Sequence, residues 1–225
     1  MKTNVFASVA AAVAITLAAS KTAAAVPITI FDNQFNTTWD VDNDNNGSFE
    51  ATVATYTPSI VGAKFRETGQ TQVWNVSILV PQPWSIGGVI FAGGGNTTGE
   101  MTTEINTLVG YTYTYDWGTN LLGTNPGGIP HIITATAYSG SGTGGSVLNS
   151  GTLSNNPDGQ TGSFTFAGTG GVVTLANKLT TVGSNGSTDI QVNFVTVTAV
   201  PEASSFAMLL FGSVGLWLMR RKRAS

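Results

Sequence analysis

The chain has 225 residues, only 9% of them charged, with 28 glycines and no cysteine. The lack of cysteine excludes disulfide bonds, thiol catalysis and cysteine-ligated zinc. Between residues 26 and 198, eleven acidic residues face three basic ones, and this net charge of −8 argues against a nucleic-acid partner.

The first segment has the pattern of a Sec-type signal peptide. Lys2 is positive, an apolar run covers residues 5–19, and Ala23-Ala24-Ala25 offers an A-x-A cleavage site. We therefore predict a signal peptide over residues 1–25. A retained signal anchor is the alternative, but the run is short and ends at a cleavage site.

An acidic stretch follows. Oxygen-bearing residues alternate before a glycine, as Asp40, Asp42, Asp44 and Asn46 ahead of Gly47. Such a pattern can wrap a hard cation such as calcium, and it resembles the first half of an EF-hand loop. A true EF-hand is not expected, because Val53 stands where a bidentate Glu is needed. Asp42 and Asp44 are candidate metal ligands, and the alternative is a solvated acidic loop.

The middle of the chain alternates with period two, which is typical of strands. The alternating segments are residues 74–80, 111–117, 164–166 and 190–197, and Gly-rich turn signals separate them. In the last segment the apolar positions change face, which indicates a bulge or a strand buried on both sides. We predict one all-β ectodomain over residues 26–198, folded as a β-sandwich or jelly roll.

Two short runs carry a family resemblance. The segment Asn46-Gly47-Ser48-Phe49-Glu50 resembles the opening strand of galactose-binding-like jelly rolls found in carbohydrate-binding modules. Residues 110–115, with sequence GYTYTY, resemble their central strand. In that family a structural calcium often joins the first strand to the last. The resemblance implies that Glu50 and Asp189 share such a site.

Sugar contact would need exposed aromatic rings, because these stack on pyranose faces. Trp84 follows Pro81 and Pro83 in an expected loop, and it and Trp39 are the candidate sugar-binding residues. The four aromatic residues within 111–117 are expected in the core instead. The chain is expected not to be an enzyme, because His131 is its one histidine and nothing places Glu100 and Glu104 across a cleft.

The C-terminal 27 residues, 199–225, have three parts. Pro201-Glu202 precedes an apolar run over residues 206–219, and a basic cluster of Arg220, Arg221, Lys222 and Arg223 follows. We predict a short transmembrane helix over 206–219. Its fourteen residues span about 21 Å as a helix, less than the hydrocarbon core of about 30 Å. The basic cluster is expected to stay cytoplasmic and set the topology.

This tail resembles the PEP-CTERM sorting signal, in which a Pro-Glu-Pro motif precedes a short membrane helix and an Arg-rich end. Here Ala203 replaces the second proline. The resemblance implies recognition by an exosortase, cleavage near Pro201-Glu202, and an origin in exopolysaccharide-producing Gram-negative bacteria. An ordinary tail anchor is the alternative.

Three functions remain open at this point. The first is a non-enzymatic cell-surface or matrix protein that is anchored transiently in the inner membrane and contacts exopolysaccharide. The second is a purely structural or adhesive surface protein without a ligand site. The third is a secreted glycoside hydrolase. Exposed tryptophans favour the first, buried tryptophans the second, and two carboxylates across a cleft the third.

Overall fold

The fold is known from a computed structural model, which describes residues 25–35, 39–42, 44, 46–53, 64–67, 71–74, 89–93, 98–122, 131–154, 159–181 and 188–202. All regular secondary structure in these residues is β-structure. The strands are β1 (Ile28–Asn33), β2 (Trp39–Asp42), β3 (Ala51–Val53), β4 (Lys64–Glu67), β5 (Thr71–Trp74), β6 (Val89–Gly93), β7 (Thr98–Asn106), β8 (Tyr111–Leu122), β9 (His131–Ser139), β10 (Val147–Leu153), β11 (Gln160–Ala167), β12 (Val172–Thr181) and β13 (Thr188–Pro201).

The strands form two sheets. One has five strands in the order β1-β13-β8-β11, with β6 also paired to β13. The other has eight strands in the order β10-β9-β12-β7-β5-β4-β2-β3. From β7 onwards the chain crosses repeatedly between the sheets, since β8, β11 and β13 belong to the five-stranded sheet and the other strands to the eight-stranded one. Both sheets therefore contribute to one core. The predicted all-β sandwich is confirmed.

The core between the sheets is built on β8. Tyr113, Tyr115 and Trp117 alternate along this strand and are at most 2% exposed. The rings of Phe164 and Phe166 on β11 pack against them, with centroids 5.5 Å from Tyr115 and Tyr113 respectively. Alternation at period two therefore predicted three of the four aromatics over 111–117 correctly, and Tyr111, the fourth, is partly buried and packs against the core.

Buried hydrogen bonds join the sheets across the core, and one of them runs from the Asn33 amide on β1 to the Thr71 hydroxyl on β5 over 2.9 Å. The Tyr115 hydroxyl donates to the Asn177 side-chain oxygen on β12 over 2.7 Å, and both residues are buried. Burial raises the pKa of Tyr115, so the hydroxyl keeps its proton and acts as a donor. This bond joins the two sheets at their centre.

The last strand changes its buried face, as predicted. Ile190 and Val192 are fully buried, and so are Val195 and Val197, which have the opposite parity. The first pair lies where β13 is paired with β6. Strand β13 then continues to Pro201, beyond the predicted domain boundary at residue 198.

Residues Thr29–Ala199 form one compact unit, and Met1–Ile28 with Val200–Ser225 form another. The predicted signal peptide over 1–25 falls outside the described residues except for its last position. The predicted helix over 206–219 and the cluster over 220–223 also fall outside them. Within the part of the chain that the structure describes, no helix is long and apolar enough to cross a bilayer.

Candidate functional site

Three carboxylates meet at the connection between β2 and β3. Oxygen atoms of Asp42, Asp44 and Glu50 all lie within 4.8 Å of one another. Asp42 is fully buried, whereas the other two are exposed. We call these three residues the acidic corner.

Local hydrogen bonds explain why the alternating sequence folds this way. The Asp42 carboxylate accepts from the backbone N–H groups of Asn46 and Gly47, over 3.1 and 2.9 Å. The Asp44 carboxylate accepts from the Asn46 side chain over 2.9 Å. Gly47 has a φ of 92°, a left-handed conformation that glycine adopts without strain. The Glu50 N–H then donates to the carbonyl of Val41 and closes the connection.

A positive charge lies beside the acidic corner. The Lys64 ammonium is 3.8 Å from the buried Asp42 carboxylate. Calcium takes six to eight oxygen ligands, so the three side chains supply part of a shell that carbonyls and water complete. The donor set of the acidic corner therefore fits a hard cation.

The structure places the predicted metal ligands differently from the sequence analysis. Glu50 joins Asp42 and Asp44, which the sequence analysis had assigned to a separate calcium hypothesis. The backbone of Asp189 is paired with Ala92 in the five-stranded sheet, whereas β2 and β3 belong to the eight-stranded sheet. The side chain of Asp189 is outside the described part of the structure, so its shared site with Glu50 stays a prediction.

Asp40, the first residue of the alternating stretch, has a different role. Its carboxylate accepts from the Thr52 hydroxyl over 2.6 Å and from the Arg66 guanidinium over 3.0 Å. The bond from Thr52 and then the bond from Arg66 hold the pKa of Asp40 below its ordinary value of 3.8. The Arg66 guanidinium also lies over the ring of Phe49, 4.2 Å from its centroid. Sequence reasoning missed this cluster, although Arg66 is one of only three basic residues between positions 26 and 198.

This cluster lies at one end of a row of residues that crosses all eight strands of the larger sheet. Each residue in the row is paired with the next in register, and all but one are polar. The row is Ser150, Thr136, Ala176, Thr102, Gln72, Arg66, Asp40 and Thr52. Because the neighbouring residues Phe65, Met101 and Leu175 are buried in the core, the row lies on the outer face. We call it the polar row.

The prediction that Trp39 contacts sugar is wrong. Trp39 is 6% exposed, and its ring stacks on Phe35 with the centroids 6.2 Å apart. Residue 39 faces inward on β2 beside the buried Val41, so the hydrophobic core takes the ring. Trp84 lies outside the described residues, and its sugar contact stays a prediction.

The candidate catalytic carboxylates Glu100 and Glu104 both lie on β7. Four residues apart on one strand, their Cα atoms are separated by about 13 Å. Glu104 is occupied by hydrogen bonds from Gly142 N–H and the Ser141 hydroxyl. Glu100 is half-buried, and burial raises its pKa. His131 begins β9, and its side chain is outside the described part.

The predicted sorting motif, Pro201-Glu202, follows the sandwich directly. Pro201 is the last residue of β13, and both Pro201 and Glu202 are half-buried. Proline has no backbone N–H to continue the ladder and disfavours helical geometry in the residue before it. The strand therefore ends where the Pro-Glu motif begins.

No protein-family model matches the chain, and no curated protein matches it. Similar solved structures include the K3 cleaved adhesin domain of Lys-gingipain from Porphyromonas gingivalis W83, with 13% identity, a TM-score of 0.41, and coverage of 77% of this chain and 99% of that one. The xylan-binding module CBM15 has 15% identity, a TM-score of 0.38, and coverage of 79% and 99%. TmCBM61 in complex with β-1,4-galactotriose has 13% identity, a TM-score of 0.34, and coverage of 73% and 88%.

Carbohydrate-binding modules are thus among the structural neighbours of the chain.

Proposed function

We propose that this chain is a non-enzymatic, exported cell-surface or extracellular-matrix protein that an exosortase releases near Pro201-Glu202. One observation carries the proposal: the sandwich is complete where the sorting motif begins. Ala199 is 1% exposed and is the last buried residue of β13, and Pro201 ends the strand. Cleavage after that point removes the apolar and basic segments without removing a strand.

The test is the fate of the tail in an exosortase-containing host. Intact-mass measurement of the wild-type surface protein should give a chain that begins near Val26 and lacks residues 206–225. The double variant Pro201→Ala/Glu202→Ala should still enter the membrane but should keep those residues. Normal processing of the double variant would make the motif a mere linker and would end the exosortase proposal.

The polar row is the surface proposed for contact with exopolysaccharide. Thr136 and Ala176 are buried, so the accessible part proposed for this contact runs from Thr102 to Thr52. That part offers hydroxyl, amide, guanidinium and carboxylate groups in one line, which can donate to and accept from sugar hydroxyls. At its end, Arg66 and the half-exposed Phe49 add a charged group and an aromatic ring. A chain of sugars can run along such a line, because neighbouring strands are about 4.8 Å apart.

A glycan array on the purified mature protein tests this contact. Binding should be lost in Gln72→Leu/Thr102→Val, which removes polar groups from the middle of the row. Thr161→Val/Thr165→Val is the matched control, because both residues are exposed on β11 of the other sheet. Equal binding by both double variants would exclude the polar row.

A structural or adhesive role without a ligand site is the second candidate. The observation that favours it is that Trp39 and Trp117 are both buried, which leaves neither ring free for sugar. This role would be favoured if the protein bound no glycan on the array but was still processed and retained in the matrix.

Calcium binding at the acidic corner is also proposed, as a stabilising rather than a catalytic feature. Its support is the proximity of three carboxylates with one ammonium against them. The Glu50–Asp189 arrangement is a separate calcium proposal, and Asp189→Asn distinguishes the two because it leaves the acidic corner intact.

A further inference from the structure

Three turns form one end of the sandwich. They join β7 to β8 over residues 107–110, β9 to β10 over 140–146, and β11 to β12 over 168–171. Thr107 N–H donates to the carbonyl of Gly171 over 2.9 Å, and Gly142 N–H donates to Glu104 on β7 over 3.1 Å. We call this the turn end.

The turn end is apolar at its tips and carries no charge in its turns. Leu108 is 61% exposed, Val109 75% and Val147 60%. The three turns read TLVG, GSGTGGS and GTGG, without an acidic or basic residue. Leu108 and Val109 are neighbours in one turn, and Val147 directly follows the 140–146 turn at the same end. Exposed apolar side chains that share one end of a protein are candidates for an interaction site.

The tips are held in place. The Leu108 N–H donates to the hydroxyl of the buried Tyr113 over 2.8 Å. Gly168 packs against the same turn so closely that a Cβ there would lie 2.0 Å from the Leu108 carbonyl oxygen. Leu108 and Val109 therefore cannot fold back onto the core.

The chain leaves the compact unit at this same end. Strand β12 starts at the turn end with Val172 and extends away over roughly 31 Å. Residues 182–187 reach at most about 25 Å, which is less than that length, so β13 cannot begin at the turn end. Gly118, seven residues after the start of β8, lies against Asn193 and Phe194, so β13 begins beyond Gly118, towards the far end. Its fourteen residues run back, and Ala199 consequently lies at the turn end.

We propose that the turn end rests on the lipid bilayer before release, with Leu108, Val109 and Val147 in the interfacial layer. This inference rests on the proposed function, because it takes the predicted helix over 206–219 as the membrane tether. From Ala199 to Phe206 the chain spans at most about 25 Å, so the tether holds the turn end close to the lipid.

The bilayer is the occupant because the predicted tether enters it. The turns carry no charge, and the charged group beside them is Glu104, which accepts hydrogen bonds from Ser141 and Gly142. Without a lysine or arginine in the turns, the contact is apolar and does not depend on anionic headgroups. Three short side chains bind lipid more weakly than a single myristoyl chain, which itself gives only reversible attachment. The contact orients the tethered protein, and the protein dissociates from the bilayer once the tail is cleaved.

The missing cysteines allow a direct test. Val109→Cys, labelled with an environment-sensitive nitrobenzoxadiazole dye, introduces the sole thiol of the full-length chain. Thr161→Cys is the matched control, because Thr161 is exposed near the start of β11, at the opposite end of the strand from the 168–171 turn. Both labelled chains are reconstituted into phosphatidylcholine vesicles and floated on a density gradient.

The expected result is flotation of both chains, with a several-fold rise in dye emission and quenching by spin-labelled lipid only at position 109. Equal emission and quenching at both positions of floating chains would overturn the membrane contact alone. Failure of both chains to float would overturn the tether and the inference with it. A signal at position 109 that grows with protein concentration without vesicles would assign the surface to a second copy of the chain.

Discussion

Trp117 can lie in the core because its cross-strand partner has no side chain. Gly162 is paired with Trp117, and a Cβ at Gly162 would lie 2.0 Å from an indole carbon. The Trp117 ring packs against the rings of Tyr115 and Phe164, so it can move only if these neighbours also move. The glycine is therefore a packing requirement.

Gly162→Ala should consequently destabilise the protein. Overpacking of this kind costs about 1–3 kcal/mol, measured as a loss of unfolding free energy in urea. Gly144→Ala is the control, because a Cβ there meets nothing within 4 Å. Equal stability of the two variants would mean that the indole has room to shift.

The raised pKa of Glu100 should make the stability of the fold depend on pH. Burial raises its pKa above 4.5, and Lys178 opposes that shift. The folded state thus holds this proton more tightly than the unfolded state, so stability falls as pH rises from about 4.5 through the folded pKa. Glu100→Gln should raise the melting temperature at pH 7 and leave it unchanged below pH 4.

Lys178→Met is the counterpart of that variant. Lys178 is paired in register with Glu100, and its loss removes the opposing charge. The melting temperature at pH 7 should therefore fall. A fall in both variants would show that the attraction to Lys178 exceeds the cost of burying Glu100.

At the scale of elements, the acidic corner between β2 and β3 should make the melting temperature depend on calcium. Added calcium should raise the melting temperature of the wild-type protein, because a ligand that binds the folded state stabilises it. Glu50→Gln should abolish that rise with little effect in chelator, since Glu50 is exposed. Asp42→Asn should lower stability even in chelator, because its carboxylate accepts two backbone N–H groups. A calcium response that survives in Glu50→Gln would place the ion elsewhere.

The same connection shows how far sequence reasoning reaches. Alternation identified the β8 core, because a strand's period fixes which side chains share a face. Alternation could not show that Trp39 is buried rather than exposed, because β2 has only four residues and offers too few positions to establish a buried face. It also could not bring Glu50 to Asp42, because the path of residues 43–49 depends on hydrogen bonds between side chains and backbone. The pairing of Asp40 with Arg66, 26 positions away, depends on strand order, which short sequence patterns do not specify.

For the whole molecule, orientation should depend on the basic end of the chain. Replacing Arg220, Arg221, Lys222 and Arg223 together by Gln removes the charge that is predicted to keep this end cytoplasmic. The variant should show mixed topology, measured by protease protection of the ectodomain in spheroplasts. Replacing Lys64, Arg66 and Lys178 together by Gln is the control for overall charge, and it should leave topology unchanged. Wild-type topology without the basic cluster would mean that the signal peptide alone sets orientation.

Strand β13 is bonded to β1, β8 and β6, so the last strand made is the hub of the five-stranded sheet. Until residues 188–199 are available, that sheet lacks its shared partner, and β1 must pair with a strand more than 150 positions away. Long-range closure of this kind slows folding. On the proposed export route, with the amino terminus first, the five-stranded sheet is expected to close only when translocation nears its end. The predicted sorting motif at Pro201-Glu202 would then emerge as the sheet closes, so the proposed release would follow folding directly.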